Sequence, residues 1–305
     1  MKRILAYFLS LLTVFVMLST SVYCITPIDP ARSSSLTLQY AHGGKYYGGL
    51  EIKTFRIAEV FPDGTYALAG EFAKYPVKIY EVTSQSEWRA IASTLAAYIH
   101  ADGIEPTCTN VTDILGTVSF TDILPGMYLT LGVSETEDNV ITVFETFLTV
   151  VPYPSDDGDH NYDVTAYPKC EEHEFGGDIE YKVVKLWKDK GYTENRPESV
   201  TVDILKDGVL WTSVQLSSEN NFSYTWTTAD DGSVWHAVER NVSEGYTVSV
   251  VRSGDTFLVT NKYIIDIPGA PQTGEPPTLW IYVMTMSLSG MVLILISTWR
   301  KRREE

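Results

Sequence analysis

The chain is 305 residues long and strongly acidic, with 39 Asp and Glu against 23 Lys and Arg and a formal charge of −16. That balance repels nucleic acid and argues against a phosphate-binding role, and no glycine-rich phosphate loop or basic stripe offsets it. Only three cysteines occur, Cys24, Cys108 and Cys170, so a secreted chain of this size is not a disulfide scaffold, and no zinc-type cysteine spacing is present.

Lys2 and Arg3 precede an apolar stretch from Ile4 to Leu18, followed by the small residues Ser19, Thr20 and Ser21. This is the layout of a secretory signal peptide, predicted over residues 1–24 with cleavage after Ser21 or Cys24. The bulky Tyr23 argues against lipid modification at Cys24. Residues 25–269 hold 17 basic and 36 acidic residues, a net −19. They offer room for two domains of ordinary size.

A first domain is predicted over residues 33–169 and reads as mostly β. Its strands are Leu36–Tyr40, Gly49–Val60, Gly116–Phe120, Gly126–Leu131, Val140–Val150 and Tyr162–Tyr167. One helix interrupts them, from Ser86 to Ile99 with Ser86 as its cap. Trp88, Ile91, Ala92, Leu95 and Ile99 fall on one face at helical spacing, which reads as core. The polar, glycine-containing stretch 170–178 then reads as a linker. Cys108 and Cys170 can pair in an oxidising setting or remain two free thiols.

The second domain, 179–264, is predicted as strand after strand: Tyr181–Trp187, Ser199–Leu205, Phe222–Trp226, Ser233–Glu239, Tyr246–Val251 and Phe257–Asn261. Lys206-Asp-Gly208, Asp230-Asp-Gly232 and Ser253-Gly-Asp255 mark turns. Short, regularly punctuated strands imply a β-sandwich. Lys185 lies between Val184 and Leu186, an expensive place for a charge without partners.

The C-terminal segment 270–305 has three parts. Ala270-Pro-Gln-Thr-Gly274 comes first. Leu279 to Trp299 follows, 21 residues without a charge, enough to span a hydrocarbon core of about 30 Å as a helix. The tail 300–305 opens with Arg300-Lys-Arg-Arg303, which favours the cytoplasmic side. Pro271 biases Ala270 toward an extended backbone that a cleft can read.

This order of motif, apolar span and basic tail resembles a Gram-positive cell-wall sorting signal. The resemblance implies a sortase partner that reads Ala270, Pro271, Gln272, Thr273 and Gly274 and cleaves between Thr273 and Gly274. The Thr273 carboxyl would then be joined to an amine on peptidoglycan or on another pilin subunit. The family motif usually begins with Leu, so the sortase class that accepts Ala270 stays open.

Lys185-Leu-Trp-Lys-Asp189, Arg196-Pro197 with Val200-Thr-Val202, Lys206-Asp-Gly208, Val238-Glu239 with Glu244-Gly-Tyr246, and Thr260-Asn-Lys262 make the second domain resemble a Cna B-type domain. That is the repeat module of Gram-positive pilins and collagen adhesins. Many such domains carry an intramolecular isopeptide bond. The resemblance places the nucleophile at Lys185, the acceptor at Asn261 and the assisting acid at Glu239, with Asp203 or Asp189 as alternative acids. Val164-Thr-Ala-Tyr-Pro-Lys169 is similar to a pilin motif whose lysine accepts the next subunit's Thr carboxyl. The candidate here is Lys169, and the motif departs from the pattern at Ala166.

The expected fold is therefore mainly β. It comprises two tandem immunoglobulin-like (Cna B-type) β-sandwich domains, the first with one inserted helix, plus a C-terminal transmembrane sorting helix. The implied function is a wall-anchored, pilin-like structural subunit at the bacterial surface. The alternative is a monomeric adhesin meeting a host matrix or cell-surface ligand. No cofactor, metal or nucleic-acid partner is expected, and the membrane would be engaged only transiently. The five histidines, His42, His100, His160, His173 and His236, form no evident triad or metal set, which leaves an enzyme reading weak.

Overall fold

The computed structural model describes residues 26–137, 140–155, 159–174 and 176–264. The signal segment 1–24, the motif Ala270–Gly274, the apolar run 279–299 and the basic tail 300–305 lie outside the described residues. Among the described residues, no helix is long and apolar enough to cross a membrane.

In the first domain, β1 (Ser34–Gln39) alternates inward and outward, burying Ser34, Leu36 and Leu38, as a strand with one covered face must. The other strands of three or more residues are β2 (Glu51–Val60), β3 (Tyr66–Leu68), β4 (Cys108–Val111), β5 (Thr117–Ile123), β6 (Gly126–Thr130), β7 (Val133–Glu137), β8 (Val140–Phe144), β9 (Phe147–Val151), β10 (Asp163–Ala166) and β11 (Cys170–Glu174). One sheet runs β10-β1-β5, with β10 parallel to β1 and β5 antiparallel to it. A second runs β9-β6-β2-β3, with β4 added on β2. Leu36, Leu38, Val118, Phe120, Ile52, Tyr128 and Phe144 share one apolar cluster that joins these sheets.

Every residue of β6 is buried. This follows from burial on both faces: Tyr128 joins the cluster just described, while Met127 and Leu129 join a second cluster together with the helix. That helix, α1, spans Gln85–Asp102. It begins before the expected cap, because Ser84 and Glu87 form a capping box: Ser84 Oγ accepts from Glu87 N at 3.2 Å and the Glu87 carboxylate reaches back to Ser84 N. Gly103, left-handed at φ 62°, closes the far end.

Two expectations for the first domain change. Val140–Val150, read as one strand, divides into β8 and β9, which enter different sheets. The break falls where Glu145 N donates to Lys169 O and Thr146 Oγ1 accepts from Gly132 N. Residues 170–174, read as linker, form β11, which pairs with β8 from Phe144–Cys170 to Val140–Glu174. Backbone pairing can recruit a polar sequence that has no apolar period of its own.

The second domain consists of β12 (Asp178–Lys188), β13 (Ser199–Lys206), β14 (Val209–Ser217), β15 (Ser223–Ala229), β16 (Trp235–Arg240), β17 (Tyr246–Ser253) and β18 (Thr256–Tyr263). One sheet runs β15-β12-β18-β17 and the other β14-β13-β16. The first strand of the domain, β12, lies parallel to the last, β18. Strand β14 was not anticipated from the sequence. It is an edge strand with most side chains outward, so it lacks the apolar alternation that marks a covered strand.

The two domains share a core. Ile91, Leu95, Tyr98 and Ile99 of α1 belong to the same apolar cluster as Phe55, Met127 and Leu129 of the first domain and Val202, Ala237, Val248 and Val259 of the second. The helix is thus buried along most of its length, and Ala92, Ala96 and Ala97 are among its buried residues.

Candidate crosslink site

Strand periodicity carries Lys185 into the interior. Along β12 the inward positions are Tyr181, Val183 and Lys185, while Val184 and Leu186 on either side are less covered. On β18, Phe257, Val259 and Asn261 are buried. The parallel register sets Lys185 opposite Val259 and Trp187 opposite Asn261, which makes Lys185 and Asn261 diagonal neighbours on one face. From the opposing sheet, Trp235, Ala237 and Glu239 of β16 point into the same interior.

The three expected residues therefore meet. Lys185 Nζ lies 3.2 Å from Glu239 Oε2, and the side chains are 0% and 1% exposed. Asn261 Nδ2 donates to Glu239 Oε1 at 2.8 Å. The ammonium also donates to Leu186 O at 3.3 Å and sits 4.2 Å from the centre of the Trp187 ring. Among the described residues, Glu239 Oε2 and Asn261 Oδ1 accept no hydrogen bond, so the Lys185–Glu239 approach is an ion-pair distance without hydrogen-bond alignment.

Burial governs the electrostatics. It pushes Lys185 down to about 8, with Glu239 pulling the other way. Burial likewise raises the Glu239 carboxyl, opposed by Lys185. Both shifts favour the neutral amine and the neutral acid, the forms needed for attack on an amide. Turned about its Cβ–Cγ bond, the Asn261 amide would present Oδ1 to a protonated Glu239 in place of Nδ2. A lone buried ion is costly, and replacing it with a neutral covalent amide would remove that cost.

The alternative acids are engaged elsewhere. Asp189 takes Arg196 in a fork, Nε to Oδ2 at 2.5 Å and Nη2 to Oδ1 at 2.9 Å, and Arg196 holds its carboxyl down at about 2. A carboxylate kept ionised is a poor proton donor. Asp203 accepts from Ser213 Oγ at 2.5 Å and pairs with Arg240 at 3.0 Å.

Lys169 lies apart from this cluster. It is exposed, in the segment between β10 and β11, with Tyr167 exposed and Pro168 buried beside it. Cys108 and Cys170 are free thiols, each half-buried against the β1–β5 cluster, so the pairing considered for them is not made. His236 stacks on His100 of α1, ring centres 4.7 Å apart.

The sequence reading missed a polar stripe on α1. Thr94 Oγ1 accepts from Val250 N at 2.8 Å, Tyr98 Oη donates to Glu239 O at 3.0 Å, and Asp102 Oδ1 pairs with Arg240 Nη1 at 2.8 Å. The signal was available as three hydrogen-bonding residues at intervals of four, on one helix face.

Residues 181–262 match the Cna protein B-type domain family. The collagen adhesin of Staphylococcus aureus is 30% identical over 109 residues, covering 33% of this chain and 9% of that protein. The match thus spans under a tenth of that relative's length. Among solved structures, a single B repeat unit (B1) of the S. aureus collagen-binding surface protein is 16% identical. It covers 76% of this chain and 100% of that one at a TM-score of 0.27. The full-length major pilin SpaD from Corynebacterium diphtheriae is 16% identical over 77% of this chain and 65% of that one, at a TM-score of 0.29. At those scores the structural likeness carries no argument, and the family match over 181–262 stands on its own.

Proposed function

We propose that this B-type-domain chain is a pilin-like structural subunit, anchored to the wall of a Gram-positive cell and closed internally by an amide between Lys185 and Asn261. The observation that carries the reading is the buried Lys185–Glu239–Asn261 cluster, with its 3.2 Å and 2.8 Å approaches. The chemistry is self-directed and runs once. Neutral Lys185 Nζ attacks the Asn261 side-chain carbonyl carbon while Glu239 polarises the amide. Protonated Glu239 gives its proton to the amide oxygen as Nζ bonds to the carbon, takes the proton from Nζ, passes one to Nδ2 and recovers the one on oxygen as the carbonyl re-forms. The C–Nδ2 bond breaks, ammonia leaves, and the Nζ–C amide remains. No external substrate is turned over.

Anchoring rests on the sequence motif. A sortase would cleave between Thr273 and Gly274 and pass the Thr273 carboxyl to peptidoglycan or to Lys169 of another subunit. Lys169 suits that role because it is exposed and flanked by the exposed Tyr167.

Two measurements test the reading. The purified chain should weigh one ammonia less than its sequence, and Lys185→Ala or Glu239→Ala should restore the full mass; a full-mass parent sinks the crosslink. A wall digest from the native host should give a detergent-resistant high-mass ladder that disappears with Lys169→Ala. A single monomer-sized band in both strains would reject polymerisation and favour a wall-anchored monomeric adhesin.

A further inference from the structure

Glu239 is held from outside its own domain. Tyr98 and Asp102, one turn apart on α1, grip consecutive residues of β16: the Glu239 carbonyl and the Arg240 guanidinium. The Tyr98 bond is buried. Among the described residues, strand β16 is the edge of its sheet, paired only with β13, so its outward carbonyls need another donor.

The first domain covers the neighbouring edge as well. Strand β17 ends the other sheet, and its Val250 N–H goes to Thr94 Oγ1 while its Val248 N–H goes to Pro76 O at 2.9 Å. Thr94 is itself oriented by donating to Ala90 O at 2.6 Å. Tyr98 is braced by ring stacking on Tyr75 at 4.2 Å, and Tyr75 Oη donates to Asp102 at 2.6 Å.

We propose that Tyr98, supported by Asp102, is a positioning residue for crosslink formation, so that the first domain sets the rate at which the second closes on itself. This rests on the Lys185–Asn261 reading above. The backbone of Glu239 determines where its carboxyl stands relative to two fixed partners, Lys185 on β12 and Asn261 on β18. Freed from α1, β16 can shift at its edge, and the carboxyl loses the alignment on which proton transfer depends.

The test is a cell-free translation chase of the full chain, sampled by intact mass at a series of pH values. Tyr98→Phe keeps the ring and removes only the donor. It should slow loss of ammonia about fivefold, the effect of one hydrogen bond on the barrier. A carboxyl less firmly buried ionises more readily, so the acid limb of the pH–rate profile should move to lower pH. Tyr128→Phe is the matched control, because its hydroxyl also donates to a backbone carbonyl, Leu124 O at 2.5 Å, but within the first domain. Parent kinetics and an unmoved acid limb in Tyr98→Phe, or equal slowing in Tyr128→Phe, would overturn the proposal. Should Tyr98→Phe fail to fold, Asp102→Asn decides: slowing supports the positioning role and a parent rate overturns it. A parent chain that never loses ammonia overturns the crosslink itself, a result distinct from all of these.

Discussion

Asn261→Ala is expected to lower the melting temperature by roughly 10–15 °C. A covalent tie from Lys185 to Asn261 would enclose most of the second domain. Closing a loop of that size restricts the unfolded chain by about 4 kcal/mol in the loop-entropy treatment. In a cooperative unit of about 150–250 residues each kcal/mol shifts the midpoint by about 2–4 °C. The variants should rank by what they leave behind. Lys185→Met loses the bond but also the buried charge, so it should be the mildest. Asn261→Ala keeps the ion pair with Glu239. Glu239→Ala leaves Lys185 buried without its anion, adding about 3–5 kcal/mol, and should melt lowest. Thermal unfolding followed by tryptophan fluorescence gives the ranking. An Asn261→Ala midpoint within a few degrees of the parent would mean that no tie exists to lose.

The position of the proposed tie would give it a mechanical meaning. Strands β12 and β18 are the first and last of the domain and run parallel as neighbours. A pull entering at residue 178 and leaving at residue 263 would otherwise load the backbone hydrogen bonds between them. An amide from Lys185 to Asn261 would carry that load through covalent bonds, and the rate of unfolding is the quantity a surface fibre depends on.

How much of this was legible in the sequence varies from residue to residue. The second domain's crosslink candidates were legible because the family motif names Lys185, Glu239 and Asn261. The apolar neighbours Val184 and Leu186 suggested burial, although in the structure it is the i, i+2 positions Tyr181 and Val183 that share the interior with Lys185. Helix α1 was legible from its period, but its start was not, because Ser84 and Ser86 are equally good caps until Glu87 is seen to choose Ser84. Strands β14 and β11 were hidden for one reason: a polar or outward-facing strand takes its conformation from its partner's backbone. The docking of α1 on the second domain was hidden for another. A helix buried between two layers carries apolar residues on both, and single-face periodicity reports only one.

That docking leads to the second large effect. Leu95 is 0% exposed and sits in the cluster common to both domains. Leu95→Ala should cost about 3 kcal/mol through lost burial and the cavity left behind. The informative part is where the loss is felt. Four of the tryptophans, Trp187, Trp211, Trp226 and Trp235, belong to the second domain, so fluorescence reports mainly on that domain while Leu95 belongs to the first. If the shared core makes the pair one cooperative unit, the fluorescence midpoint of Leu95→Ala falls together with the circular-dichroism midpoint, by roughly 6–12 °C. Two separated transitions, with the fluorescence midpoint left at the parent value, would show that the domains unfold independently. In that case the grip of Tyr98 and Asp102 on β16 would be too weak to transmit strain in either direction. Coincident transitions would mean instead that substitutions anywhere along α1 weaken the domain that carries Glu239, and that the B-type domain draws part of its stability from the helix beside it.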